Sequence, residues 1–300
     1  MKKVFILNPI ASKDGKYRLM KEIKENFKGE QIIIEKTREP KHASFIAQKY
    51  ALKKEEPIHI FSCGGDGTLH EIVNGIVGAD HIQLSVVPIG TGNDFIKSFE
   101  GMTKEDFLNF KGYKNPLDMS CDVLKVNGEY AINTVSFGFD VHVAEYANIY
   151  SKNLPVKGIV PYYMGMLSSL TKPLGEMYRI QIDDTRLEPD LYSFLVFCNG
   201  RYYGGGYKPC PQALVNDGIM DVCLIKDVKK SQIVRFASAY KEGKHASLVP
   251  EAVETYHANT VHIDTDNKEI TCNLDGEIRQ VKNPTIEIVP NAIHLAIPQF

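Results

Sequence analysis

Residues 58–75 constrain the fold more than any other stretch of this 300-residue chain. The run Ile58-His59-Ile60-Phe61-Ser62-Cys63 leads into Gly64-Gly65-Asp66-Gly67-Thr68, and Leu69, Ile72, Val73 and Ile76 then recur at i, i+3, i+4 and i+7. A buried-type strand, a glycine turn and an amphipathic helix over 69–77 make half of a parallel βαβ unit. Such a turn points backbone N–H groups at an incoming anion, and the helix dipole favours negative charge there. Glycines let phosphates approach without a Cβ in the way. Thr68 is expected to cap the helix or to bond a phosphate. The run matches neither the Gly-x-x-x-x-Gly-Lys loop nor the Gly-x-Gly-x-x-Gly fingerprint.

The same alternation fills the first third. Residues 4–7, 32–35, 58–61 and 84–87 read as strands; 17–27 and 42–52 read as helices, the second with apolar Phe45, Ile46 and Tyr50. This predicts a Rossmann-like parallel α/β domain over 1–117. The strand at 84–87 leads into a second polar glycine loop, Pro88-Ile89-Gly90-Thr91-Gly92-Asn93-Asp94. Ligands of open parallel sheets sit outside the carboxyl ends of the strands, so two such loops on consecutive strands mark a site. A third loop, Asn8-Pro9 to Gly15-Lys16, reads equally as a plain turn.

The pattern changes near Asp118. Asn127-Gly128 between apolar runs is a hairpin signal. Strands are expected near 178–182, 192–198, 220–225, 260–263, 270–274 and 285–288, with helical stretches near 158–171 and 231–242. The expectation is a mainly antiparallel β-sandwich domain over 118–289, with 290–300 returning to the first domain. With 35 basic and 37 acidic residues the chain lacks the basic excess of a nucleic-acid binder. No window approaches the roughly 20 apolar residues of a membrane span. Six widely spaced cysteines read as reduced thiols of a cytoplasmic protein. Cys63 suits a small buried apolar position. His70, His142, His245 and His257 lack metal-ligand spacing. His70 lies one turn into the phosphate-binding helix, within reach of a nucleotide.

Asn8-Pro9, the two glycine loops, Asn133-x-x-Ser136-x-Gly138-x-Asp140, Pro209-x-Pro211-x-Ala213-x-x-x-Asp217-Gly218-x-x-Asp221-Val222 and Asn273-Leu274-Asp275-Gly276-Glu277 occur in order. Together they resemble the diacylglycerol kinase catalytic-domain family, specifically its soluble bacterial lipid kinases. The Gly-Gly-Asp-Gly-Thr element alone is shared with NAD kinases. The resemblance implies ATP as phosphoryl donor, in the cleft between two domains. It implies nucleotide binding by Thr37, Gly64, Gly65, Asp66, Gly67, Thr68, Leu69, His70, Glu71, Thr91 and Asn93. On sequence alone Thr37 reads equally as a strand-end residue.

Phosphoryl transfer to an alcohol also needs charge neutralisation by Mg²⁺ and a carboxylate near the acceptor hydroxyl. Asp275 and Glu277 supply two. On a straight strand both share a face opposite Cys272 and Leu274; around an Asp275-Gly276 hairpin they flank its tip. The resemblance makes Glu277 the proton acceptor, with Asp275 supporting it or binding metal. It also implies a structural Mg²⁺ held by carbonyls of Leu214 and Ile219 and by Asp217; the residues alone read as a turn.

Residues 146–175 contain Lys152, Lys157 and Lys172 and no acidic residue. Ile159, Tyr163, Met166, Leu167 and Leu170 share a helical face there. The segment reads as a membrane-docking surface or as a helix packed on the β domain. The resulting reading is a cytoplasmic, peripherally membrane-associated lipid kinase. It phosphorylates a hydroxyl of diacylglycerol or a related lipid at the membrane surface and has no nucleic-acid partner; a homodimer is compatible with it. The alternatives are a NAD kinase-like enzyme with a soluble acceptor and a non-catalytic nucleotide-binding regulator.

Overall fold

The computed structural model describes residues 1–9, 16–155, 160–171, 173–230 and 233–300. The loop residues 10–15, Ile159, Lys157 and Lys172, with the side chains of Lys152 and Tyr163, lie outside that description. The chain forms two compact units: Met1–Val123 with Val215–Asp217 and Val289–Phe300, and Leu124–Leu214 with Gly218–Ile288.

In the first unit β1 (Lys2–Leu7), α1 (Lys16–Asn26), β2 (Ile32–Lys36), α2 (His42–Ala51), β3 (Ile58–Gly64), α3 (Asp66–Ile76) and β4 (Ile82–Pro88) alternate. β3 pairs in parallel with β1 and β4, and β1 with β2. Every residue of β3 is buried, as an inner strand covered on both faces requires. Phe5, Phe27, Phe61, Phe110 and Tyr113 close the core on one side, with Phe5 and Phe61 stacked at 4.3 Å. Truncating one of these rings to alanine costs about 3–5 kcal/mol in a typical core. The helix expected over 42–52 is present, but Phe45 is 65% exposed and takes no part in its buried face, which is Ala43, Ile46, Ala47 and Tyr50. A short helix, α4 (Lys104–Leu108), starts with a Thr103–Asp106 capping box.

A buried histidine ties this sheet to the end of the chain. Ser85 Oγ donates to the Ala296 carbonyl at 2.6 Å, so it accepts from His59 Nε2 at 2.8 Å. That fixes the His59 tautomer, leaves Nδ1 without a partner, and burial pushes its pKa down to about 3. His245, buried in the second unit, is pushed down to about 4 by the same desolvation. The unfolded chain, with histidines near 6.5, binds these protons first, so stability is full above that pH. It is expected to fall as the pH drops from about 6.5 towards 3, more than carboxylate titration alone accounts for. Urea midpoints of wild type and His59→Gln across this range check it: the variant's acid slope should be shallower, and equal slopes would remove His59 from the account.

β5 (Leu117–Val126) begins in the first unit and ends in the second, where it turns through Asn127 and Gly128, φ 49° and 90°, into β6 (Glu129–Ala131). This is the left-handed pair that Asn-Gly favours. There follow β7 (Thr134–Gly138), α5 (Phe139–Asn153), α6 (Val160–Ser169), β8 (Glu176–Ile182), β9 (Thr185–Arg186), β10 (Asp190–Cys198), β11 (Met220–Lys226), α7 (Ile233–Glu242) and α8 (His245–Leu248). The last strands are β12 (Val253–Ala258), β13 (Thr260–Asp264), β14 (Ile270–Leu274), β15 (Glu277–Val281) and β16 (Thr285–Ile297). Antiparallel pairing runs β15-β14-β7-β10-β8-β13-β16, with β11 and β12 beyond β10. Along β10, Leu195 and Phe197 enter one apolar cluster while Phe194, Val196 and Cys198 enter another on the opposite face. The fold class is thus a parallel α/β part followed by a mainly antiparallel β part.

Three elements depart from expectation. α5 does not show as a helix in the apolar pattern. β16 runs nine residues past Ile288, and its last part pairs in parallel with β4 in the first unit. Met166 of α6 and Leu170 just after it pack on the apolar cluster of β10, but Leu167 is 64% exposed, so the described residues of the expected face do not act as one. α5 and α6 approach closely because residue 165 is glycine: a Cβ there would lie 2.5 Å from the Val143 carbonyl oxygen.

Candidate active site

In the first unit, α3 begins at Asp66, directly after β3, with Gly65 in the cap position and no side-chain cap. Thr68 is therefore not the cap; its Oγ1 accepts from Asn8 Nδ2 at 3.0 Å and ties the β1 loop to the helix. The two glycine loops interlock. Ile89 and Gly90 N–H groups donate to the Gly64 carbonyl at 3.0 and 3.1 Å. A Cβ on Gly90 would lie 2.4 Å from Gly65 Cα, and one on Gly92 would lie 2.6 Å from Asp66 Oδ2. At 90 only glycine fits, because the neighbour is backbone; at 92 a Cβ would displace the Asp66 carboxylate.

Asp66 Oδ1 accepts the Asp94 N–H at 2.7 Å, and Asp94 pairs with Lys97 at 2.5 Å. Asp94 was not among the residues singled out from sequence, because its part is played through its own backbone. Asn93, at φ 50°, donates to the Gly90 carbonyl at 2.7 Å and shapes the second loop. Lys104 Nζ reaches the same carbonyl at 3.4 Å and brings positive charge to the loop.

Of the residues expected to bind nucleotide, Thr68, Leu69 and His70 are buried. Glu71 accepts the N–H groups of Lys41 and Ala43 at 2.8 and 3.0 Å, satisfying the start of α2. The Thr37 N–H donates to the Leu7 carbonyl at the end of β1. The reachable surface is Gly65, Asp66 and Gly67 with Gly90, Thr91 and Gly92 beside them. A helix N-terminus where Gly65 and Gly90 pack backbone against backbone has the form that phosphates need.

In the second unit, Asp275 and Gly276 are the two turn residues of the β14–β15 hairpin, at φ 52° and 101°. The straight-strand alternative is thereby excluded. Glu277 stands directly across from Leu274, on the same face as Leu274 rather than opposite it, because the turn resets the alternation. The Asp275 carboxylate accepts three backbone N–H groups: Ile132 at 2.8 Å, Asn133 at 2.9 Å and Thr134 at 3.0 Å. Glu277 is half exposed, 3.5 Å from Arg279, which Glu129 holds by a forked pair.

Residues 2–125 match the diacylglycerol kinase catalytic domain, and residues 133–297 match the YegS C-terminal NAD kinase beta sandwich-like domain. The chain belongs to the diacylglycerol kinase catalytic-domain family. This family member is similar to the diacylglycerol kinase of Bacillus subtilis strain 168, 28% identical over 263 residues, 86% of this chain and 82% of that one. It is 27% identical over 295 residues to YtlR of the same organism, whose name assigns it provisionally to the lipid kinases; 91% and 92% of the two chains are covered. A solved diacylglycerol kinase from Bacillus anthracis strain Sterne shares the fold, with TM-score 0.74, 21% identity, and 99% and 96% coverage.

Membership in a kinase family makes phosphoryl transfer the reaction class of this diacylglycerol kinase-family chain. Among the described residues no helix is long and apolar enough to cross a membrane. Among them, too, no three His, Cys, Asp or Glu side chains form a metal-holding group. The resemblance leads to the expectation of a structural Mg²⁺ at Leu214, Asp217 and Ile219. Leu214, Asp217 and Ile219 are all exposed, and an all-oxygen donor set of this kind suits Mg²⁺.

Proposed function

We propose that the chain transfers the γ-phosphoryl group of ATP to a hydroxyl of diacylglycerol or a related membrane lipid. The observation that carries this reading is the tandem match, a diacylglycerol kinase catalytic domain followed by its C-terminal partner, on a chain with interlocked glycine loops at a helix start. The N–H groups of 65–67 and of 91 and 92, with the Thr91 hydroxyl, bind the phosphates, and Asp66 holds the cation that accompanies them. Mg²⁺ supplies charge neutralisation when bound. Glu277 takes the acceptor's proton as the hydroxyl oxygen bonds to the γ-phosphorus and the bond to ADP breaks. Asp275, its oxygens engaged by three backbone amides, holds the hairpin that presents Glu277. Labelled ATP offered with diacylglycerol, phosphatidylglycerol, a sphingoid base and NAD tests the reading; label in NAD alone would overturn it.

The cytoplasmic face of a membrane is the proposed place of work. Ile149 and Leu154 of the α5 region and Val160 and Leu167 of α6 are exposed, in a stretch free of acidic residues from 146 to 175. Each lysine near an anionic surface contributes on the order of 1 kcal/mol, eroded by salt. Replacing Lys152, Lys157 and Lys172 with Glu is expected to cut sedimentation with phosphatidylglycerol vesicles at low salt by more than tenfold. Activity on a short-chain acceptor should fall less. Unchanged sedimentation would leave this stretch as an ordinary packed helix.

A further inference from the structure

Two charged residues stand on an otherwise apolar face of the β14–β15 hairpin. Glu277 lies across from Leu274 and Arg279 across from Cys272, so both share the face of Val281. Leu274, Cys272 and Val281 belong to one apolar cluster of the second unit, as does Ala131, two residues after Glu129 on β6. Strand alternation therefore puts Glu129 on the inward face of its own strand. A partly buried ion pair adds little net stability, because desolvating two charges offsets their attraction. Stability alone does not account for charges on these faces.

The contacts are specific. Arg279 Nε donates to Glu129 Oε1 and Oε2 at 3.1 and 2.8 Å, and Nη2 donates to Oε1 at 2.6 Å. Nη1 donates to the Ile278 carbonyl at 3.0 Å and lies 3.5 Å from Glu277 Oε2. β6 lies against β5 and β15 against β14, so the fork joins strands of different ladders, 150 positions apart. Asp275 makes a second join, to the N–H groups at 132, 133 and 134. Glu277 thus sits midway between two anchors, and both reach the short segment 129–134. A general base works only from a narrow range of positions, and a half-exposed glutamate has several torsions to fix. An arginine without a counter-ion would fold onto that glutamate and compete with the acceptor hydroxyl for its oxygens. The Glu129 fork prevents this. It commits Nε and Nη2, and leaves Glu277 a contact longer than the usual charge-assisted bond of about 2.7–2.9 Å.

We propose that Glu129 and Arg279 are positioning residues for the phosphoryl transfer. Glu129 fixes the guanidinium, and Nη1 steers one oxygen of Glu277 so that the other meets the acceptor hydroxyl and takes its proton. This rests on Glu277 as the base of the lipid-kinase reading above.

The test uses the full chain and labelled ATP with mixed micelles of dioleoylglycerol, phosphatidylglycerol and sphingosine, the total lipid label giving the rate. Arg279→Gln and Glu129→Gln are each expected to lower kcat about tenfold and to leave the KM for ATP within about twofold. Tm should move little, since the pair is partly exposed. The deciding measurement repeats both changes in a Glu277→Gln background, by single turnover with enzyme in excess so that slow rates are read. Residues that act only through Glu277 cost no more than about twofold there. A pair that merely braces the hairpin lowers the rate equally in both backgrounds. Wild-type kcat in Arg279→Gln or Glu129→Gln, or an equal loss in both backgrounds, overturns the positioning role and leaves the lipid-kinase reading standing. A silent Glu277→Gln overturns the base and the positioning role with it. Label in no lipid overturns the lipid-kinase reading as a whole.

Discussion

Glu277→Gln is expected to lower kcat by about 10²–10⁴-fold while the KM for ATP stays within about twofold, since removing a general base costs that much and touches no phosphate contact. The amide keeps the side chain's shape and cannot take the hydroxyl proton. Asp275→Asn is the informative comparison. An amide retains one acceptor oxygen for the Asn133 and Thr134 N–H groups and turns an N–H towards that of Ile132. Turnover should therefore drop only about tenfold, the loss of one charge-assisted bond's worth of positioning. Hydrogen exchange at 132–134 should speed up in Asp275→Asn and stay unchanged in Glu277→Gln. If Asp275→Asn is dead and Glu277→Gln is nearly silent, the base is Asp275 and the assignment is wrong by two residues.

Asp66→Asn should reduce turnover by about 10²–10³-fold, the usual cost of removing one preorganised charge from a transfer site. Stability should hardly change. Asp66 lies in the first turn of α3 on the surface, where losing a favourable charge costs about 0.3–1 kcal/mol, and an amide oxygen still accepts the Asp94 N–H. Steady-state kinetics with a thermal melt separates the two effects. A variant with wild-type kinetics would remove the glycine loops from the reaction.

The α/β part was legible because β3 and α3 announce themselves by period. Seven residues of uninterrupted burial read as an inner strand, and i, i+3, i+4, i+7 spacing reads as a helix. α5 stayed hidden because it follows β7 without a linker. Phe139, Val141 and Val143 extend the strand's alternation, and its hydrophobic face is weak. Only Gly138, at φ 96°, marks the change, and its glycine is required because a Cβ would sit 2.4 Å from the Ser193 carbonyl oxygen. That neighbour is 55 positions away in sequence, beyond the reach of any local pattern.

The sequence by itself determined the strand-helix order of the first unit, the two glycine loops and the pair of carboxylates at 275 and 277, since these rest on local periodicity and on residue types with few other uses. Tertiary structure alone decided what each carboxylate does. Asp66, Glu71 and Asp275 carry the same chemistry, yet Glu71 is spent on the start of α2 and Asp275 on three amides of the β6–β7 connection. Asp66 stays at a reachable helix start. A carboxylate's role is set by which N–H groups the fold brings within 3 Å of it, and those groups come from parts of the chain that sequence spacing does not join.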